Sequence, residues 1–205
     1  MYFEQAFFCE DMIKKGLFIV GFFVVLFLVF KGFKKIDLNT DYEVGQSIDS
    51  LNHVVVYYNG GVDNVVKRNT EDGYNLGLEY QCVEFVKRYY YEYYHHKMPD
   101  SYGHAKSFFD KKLSDGDVNK MRNLHQFTNP SNAMPKEGDL IVMSGTLINR
   151  YGHVAIVASV SDNAVEIIQQ NPGPFSASRE RFKLNKTTDE LWEIENSRVL
   201  GWLRK

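Results

Sequence analysis

The stretch that decides the fold is Tyr80 to Tyr94, YQCVEFVKRYYYEYY. Apolar or aromatic side chains fall at 82, 83, 85, 86, 89, 90, 93 and 94. That spacing gathers them on one side of a helix, so it predicts an amphipathic helix with Cys82 in its first turn. Upstream, His53 to Tyr58 (HVVVYY) is β-branched and aromatic and stops at Asn59-Gly60-Gly61, a strand and a turn. Ser101 to Leu113 is expected to form a second helix. Beyond it the pattern changes. Pro135 to Gly138 reads as a turn into the strand Asp139 to Met143, and His153 to Val160 as a strongly apolar strand. Asp162-Asn163 reads as a tight turn, Ala164 to Gln170 as the returning strand, and Val199 to Leu203 as the last strand. Pro172-Gly173-Pro174 breaks the chain between them. Helices first and strands afterward imply an α+β class with the helices packed on an antiparallel sheet.

The rest of the composition narrows the function. Of 205 residues, 24 are Lys or Arg and 26 Asp or Glu, a formal net charge of -2. A nucleic-acid binder of the basic-patch kind would carry a marked cationic excess. Charged residues make up 24% of the chain, the ordinary globular share, so it is not a disordered polyelectrolyte. No G-x-G-x-x-G or P-loop pattern is present, no Cys/His set has zinc-site spacing, and no cofactor is expected. Cys9 and Cys82 are the only cysteines, too few for a disulfide scaffold.

Gly16 to Phe30, GLFIVGFFVVLFLVF, has no charged or strongly polar side chain, although the mean hydropathy of the whole chain is -0.35. As a helix these residues span about 22 Å, and extension to Phe33 with Lys31 reaching outward adds roughly 4–5 Å. This is short for a hydrocarbon core of about 30 Å, but workable. No small-x-small cleavage site follows, which argues against a removed signal peptide. Apolar character on every face between lysine pairs argues against a buried core helix. The expected organisation is a tail (1–15), a membrane anchor (16–33), a linker (34–50) and one domain (51–205). Lys14 and Lys15 precede the run, and Lys31, Lys34 and Lys35 follow it. That margin of one leans toward a cytoplasmic C-terminal part.

Cys82 at a helix start meets the positive end of the helix dipole and unpaired N–H groups, which favour a thiolate and can hold an oxyanion. His153 opens an apolar strand directly after Gly152, a place from which an imidazole can reach a neighbouring group. A cysteine nucleophile needs such a base, itself held by a third group. If the hairpin turns at 162–163, residues 169–171 come level with His153, and either Gln169 or Asn171 can accept from its ring N–H. His95 and His96 read as solvated, Glu79 and Glu84 as helix-start charges, and His104 and His125 have no evident partner.

Glu79 to Tyr89, EYQCVEFVKRY, resembles the nucleophile helix of CHAP domains, the cysteine- and histidine-dependent amidohydrolase/peptidase family. Its Gln-Cys-Val-Glu-Phe variant is most similar to the glutathionylspermidine amidase branch. The matches continue in order through VVVYYNGG, Gly138-Asp-Leu-Ile, Tyr151-Gly-His-Val-Ala-Ile-Val157, Gln170-Asn171 and Leu200-Gly-Trp-Leu203. The resemblance implies a papain-like fold over residues 50–205, with Cys82 as nucleophile, His153 as base and Gln81 as an oxyanion contributor. It places Gln169 where that branch has a glutamate, and Lys87 where the family motif has an arginine. Lys87 and Arg88 are thus candidate substrate contacts. The expected activity is amide hydrolysis through a Cys82–His153 acyl-enzyme. The expected substrate is a glutathione–polyamine conjugate or a peptidoglycan peptide. The rival of another class is a binding module that keeps the fold, motivated by the Glu-to-Gln change.

Overall fold

The computed structural model describes residues 2–33, 36–147, 149–173 and 175–205; Met1, Lys34, Lys35, Ile148 and Pro174 lie outside them. Helix α1 spans Tyr2–Phe33. Its window Lys14–Gly32 is long and apolar enough to cross a membrane, a composition that a signal sequence near an N-terminus also has. None of that window is buried against the rest of the chain, so α1 is not a core helix.

The hairpin β1 (Ser47–Leu51) and β2 (Val54–Tyr57) follows. A second hairpin joins β3 (Arg68–Glu71) to β4 (Tyr74–Leu78), and α2 (Cys82–Tyr94) follows it. The remaining strands are β5 (Val118–Asn119), β6 (Leu124–Thr128), β7 (Leu140–Met143), β8 (His153–Ser161), β9 (Ala164–Ile168), β10 (Arg179–Lys186), β11 (Trp192–Ile194) and β12 (Val199–Arg204). They form one antiparallel sheet in the order β11-β10-β9-β8-β7-β12-β6-β5.

The predicted α+β class and the strands around Asp139, His153, Ala164 and Val199 stand. The helix expected over Ser101–Leu113 does not form: only Ala105–Phe108 makes a single 3-10 turn. Its apolar residues are too sparse for a helical face, and Ala105 and Phe108 are the ones it buries. The stretch expected as linker is partly built into the domain. It supplies β1, and Asp37 accepts a hydrogen bond from the Tyr58 hydroxyl at 2.6 Å.

Period-two alternation splits the sheet strands between two cores. Leu140, Val142, Val154, Ile156 and Ile168 face α2, where Phe85, Val86, Tyr89 and Tyr90 pack on them. Ile141, Met143, Ala155, Val157, Val165 and Ile167 face the other way, with Trp202, Phe182 and Leu184. Both faces are buried, which is why these strands read as unbroken apolar runs. Each large side chain removed from water contributes about 1.5–3 kcal/mol.

One irregularity in the sheet positions the site. The β8–β9 pairing slips between Val157 and Ser159, so Val160 lies opposite Val165 but Ile156 opposite Ile168. Continuing that register one step sets Gln169 opposite Ala155, on the face to which His153 points. Without the slip, alternation would send Gln169 to the other face.

Candidate active site

Tyr80 takes a left-handed conformation (φ 63) and turns the chain from β4 into α2. Gln81 is extended ahead of the helix, and Cys82 is the first helical residue. The glycine at 77 lets β4 and α2 meet: a Cβ there would lie 3.1 Å from the Glu84 Cα, and its φ of 138 disfavours any other residue. The Cys82 sulfur is free and half-buried. The backbone N–H groups of Val154, Val83 and Cys82 itself point at it, so β8 and the head of α2 fix it together. Burial outweighs those donors and pushes the thiol up to about 11.

His153 begins β8 and is buried. Gly152 before it allows a close approach: a Cβ would lie 2.5 Å from the Met143 carbonyl oxygen. The ring's Nε2 lies 2.9 Å from Gln169 Oε1. The Gln169 amide nitrogen donates to the Ala177 carbonyl at 3.3 Å and the Glu180 carboxylate at 3.4 Å. Those acceptors fix which end of the amide faces the ring. Nε2–H of His153 therefore donates to Gln169, and Nδ1 is the basic nitrogen of the neutral imidazole. Burial pulls the imidazole down to about 4; the Gln169 bond acts upward and the Arg198 charge downward. Both shifts favour the uncharged forms, a thiol and a neutral imidazole.

Of the two amides, Gln169 holds the histidine and Asn171 does not. Asn171, at φ 54, donates to the Val62 carbonyl at 2.8 Å and to Gln81 Oε1 at 2.9 Å. Gln81 in turn donates to the carbonyls of Asn64 at 2.7 Å and Val62 at 3.2 Å. Its side-chain N–H groups are thus engaged with backbone, and the oxyanion role expected of that side chain is not prepared here. Strand alternation put Asn171 and Gln169 on one face, but Asn171 lies beyond the end of β9, where the left-handed backbone turns it toward Gln81.

The expected substrate contacts Lys87 and Arg88 are also displaced. Both are buried and neither lines the cavity. Arg88 pairs with Glu84 at 2.6 Å and donates to the Val55 carbonyl at 2.8 Å. Lys87 donates to the carbonyls of Asn75 and Ser101, and its ammonium lies 4.8 Å above the Tyr74 ring. Desolvation, then repulsion from Arg122 and Arg68, lowers it to about 8. Glu84 lies in the first turn of α2, as expected, and is also a buried hub: it accepts from Asn69 at 3.0 Å and Gln170 at 2.9 Å. Gln170 is fully buried, accepts from the Tyr57 N–H at 2.8 Å and donates to the Gln81 carbonyl at 3.1 Å. It thereby locks β2 to the head of α2. The Gln170-Asn171 pair was visible in the sequence as a motif, and this bracing role was not.

Cys82 and His153 open on one cavity of about 580 Å³. Its walls include Val62, Val65, Arg68, Asn75, Tyr102 and Tyr151. His104 stacks on Tyr151 with ring centroids 4.5 Å apart, so it belongs to this wall. His96, expected in solvent, is buried with Nε2 donating to the Arg122 carbonyl at 2.9 Å. His125 Nδ1 meets the Gly116 carbonyl at 3.0 Å. Among the described residues no group of three His, Cys, Asp or Glu is placed to hold a metal ion.

The chain is 30% identical over 105 residues to trypanothione synthetase of Crithidia fasciculata, which covers 51% of this chain and 16% of that protein. It is 28% identical over 141 residues to glutathionylspermidine synthase of the same organism, 62% of this chain and 19% of that protein. The chain thus spans less than a fifth of either relative. A solved structure of Ly7917 with the hydrolysing product of MDP aligns over 62% of this chain and 54% of that one, with 17% identity and a TM-score of 0.37, too distant to guide the site. The CHAP domain family matches residues 70–171, the segment that carries Cys82, His153, Gln169 and Asn171. This part of the chain belongs to the CHAP domain family of cysteine- and histidine-dependent amidohydrolases and peptidases.

Proposed function

We propose that the chain is a cysteine amidase in which Cys82 is the nucleophile, His153 the base and Gln169 the group that orients it. The observation that carries this reading is the fixed amide of Gln169, which commits His153 Nε2–H and leaves Nδ1 to take a proton. As Cys82 Sγ attacks an amide carbonyl, its proton passes to Nδ1, so the neutral pair becomes charged only in the transition state. The Cys82 backbone N–H and the N-terminus of α2 stabilise the oxyanion. The imidazolium then protonates the departing amine, leaving a thioester. Water, deprotonated by His153, attacks the thioester, the acid departs and the thiol is restored. Gln81 and Asn171 act as positioning residues that brace the Val62–Asn64 loop at the cavity mouth.

The substrate class follows from the glutathionylspermidine-type motif at Cys82 and from the two relatives: an amide joining a small γ-glutamyl peptide to an amine. Residues 16–33 serve as the membrane anchor, and the catalytic unit begins within the stretch 34–50, because Asp37 and β1 already pack on it. The test is hydrolysis of a γ-glutamyl peptide amide together with labelling by a thiol-directed acylating probe. Wild type should do both and Cys82→Ala neither. An unlabelled wild type overturns the nucleophile assignment. A reporter fused to the C-terminus reads the topology: an outward-facing domain would redirect the substrate to cell-wall peptides, which share the amide chemistry.

A further inference from the structure

The cavity holds a fixed cation that neither motif nor catalysis uses. Arg68 lies at the start of β3 and lines the same cavity as Cys82 and His153. It is the one Lys or Arg among the described lining residues. Asn75 Oδ1 takes one of its N–H groups at 2.9 Å, and its guanidinium lies 5.7 Å from the Tyr102 ring centroid. Asn75 is itself anchored, donating to the Ser101 carbonyl at 2.6 Å. Asn75, Ser101 and Tyr102 all line the cavity, so the guanidinium is held on a built wall.

Two more cations stand behind that wall. Lys87 donates to the carbonyls of Asn75 and Ser101 from inside, and the fully buried Arg122 donates to those of Asp100 and Tyr102. Against them, Asp63 is the one carboxylate among the described lining residues. Lys87 and Arg122 face Asp100 and Glu84 behind the wall, whereas Arg68 is held on the cavity side by a neutral amide, so its guanidinium is the charge offered to an anion. The donors left on its planar fork match a carboxylate bidentately.

We propose that Arg68 binds a free carboxylate of the substrate, so that this cavity selects amides whose peptide part carries a free carboxylate. The inference rests on the amidase reading for the word substrate, but not for the binding. Both sources considered above supply that group: a γ-glutamyl conjugate through its α-carboxylate, and a cell-wall stem peptide through its own glutamate.

The test separates binding from catalysis by using the full-length Cys82→Ala protein. Calorimetry compares γ-Glu-Ala-Gly amide with the same peptide bearing an α-carboxamide, and repeats the pair with L-Ala-γ-D-Glu-L-Lys. In the Cys82→Ala background the carboxylate form of at least one peptide should bind about tenfold tighter or more than its carboxamide. Adding Arg68→Gln should erase that preference, and Arg68→Lys should keep only part of it, because an ammonium has the charge without the fork. Melting temperature confirms that each variant is folded. The proposal is overturned if neither peptide shows a carboxylate preference, or if the preference survives Arg68→Gln in a folded protein. Failure of the amidase reading would show separately, as absent hydrolysis by wild type alongside an intact Arg68-dependent binding preference.

Discussion

The two α-helices among the described residues are both rich in apolar and aromatic residues, and they differ in what surrounds them. In α1 the described side chains from Lys14 to Gly32 are exposed all round, with no preferred face. In α2 the apolar face is sealed against the sheet, and buried charges sit among it: Glu84, Lys87 and Arg88. The contrast teaches that the character of α1 lies in its composition, whereas that of α2 lies in its partners. A glutamate four residues before an arginine could be a surface pair worth a few tenths of a kcal/mol. Here it is a buried hub that also holds Asn69 and Gln170.

The sharpest way to break the comparison is at the head of α2. Cys82→Ala should remove amide hydrolysis altogether, and His153→Ala should lower kcat/KM by about a thousandfold or more, since the two act as a unit. Single-turnover assays on purified protein check both. Next in size is Glu84→Ala, which would leave the Arg88 guanidinium buried without its counter-charge and strip acceptors from Asn69 and Gln170. A loss of about 3–5 kcal/mol is expected, read by denaturant unfolding. Removing residues 1–33 should do the opposite: the domain keeps its unfolding midpoint, because the described window Lys14–Gly32 buries nothing against it, while the protein moves from the membrane to the soluble fraction. A fall in the midpoint of more than a few degrees would show that α1 packs on the domain.

Smaller effects sharpen the electrostatics of the pair. His153 is lowered in the fold from 6.5 to about 4, so the unfolded chain binds more protons below 6.5. Stability from the neutral imidazole is complete above that pH and is lost as pH falls toward 4. Cys82 is raised from 9.0 to about 11, so its share is lost as pH rises above 9. The contribution of this pair to the unfolding free energy should therefore be flat between these limits and decline on both sides. Iodoacetamide alkylation should rise with pH and lack the acid-side thiolate plateau of an ion pair. Gln169→Glu, placing a carboxylate on the imidazole, should raise the histidine and shift alkylation to lower pH. Glu180→Gln, whose exposed carboxylate lies 3.4 Å from the Gln169 amide, should change the rate by less than about threefold, measured in the same assay.

The limits of the sequence show in particular residues. Helical spacing located α2 and set Cys82 at its start, and strand patterning located β8 with His153 at its head. Nothing in the local pattern announced β1 inside a polar stretch, since its register is set by pairing with β2. The Ser101–Leu113 stretch had enough apolar residues to suggest a helix and too little periodicity to fill one. The choice between Gln169 and Asn171 was open in the sequence because two residues two apart on a strand share a face.

What the sequence determined by itself is what depends on near neighbours along the chain: an apolar helix at the N-terminus, an amphipathic helix led by a cysteine, a hairpin led by a histidine, and a motif joining them. Tertiary structure alone decided which amide holds the histidine, which cations are buried and which faces the cavity. The physical reason lies in contacts between residues far apart in number. The slip between Val157 and Ser159 turns Gln169 to His153, the left-handed Asn171 swings to Gln81, and packing of α2 on β4 takes Lys87 inside while leaving Arg68 on the cavity wall.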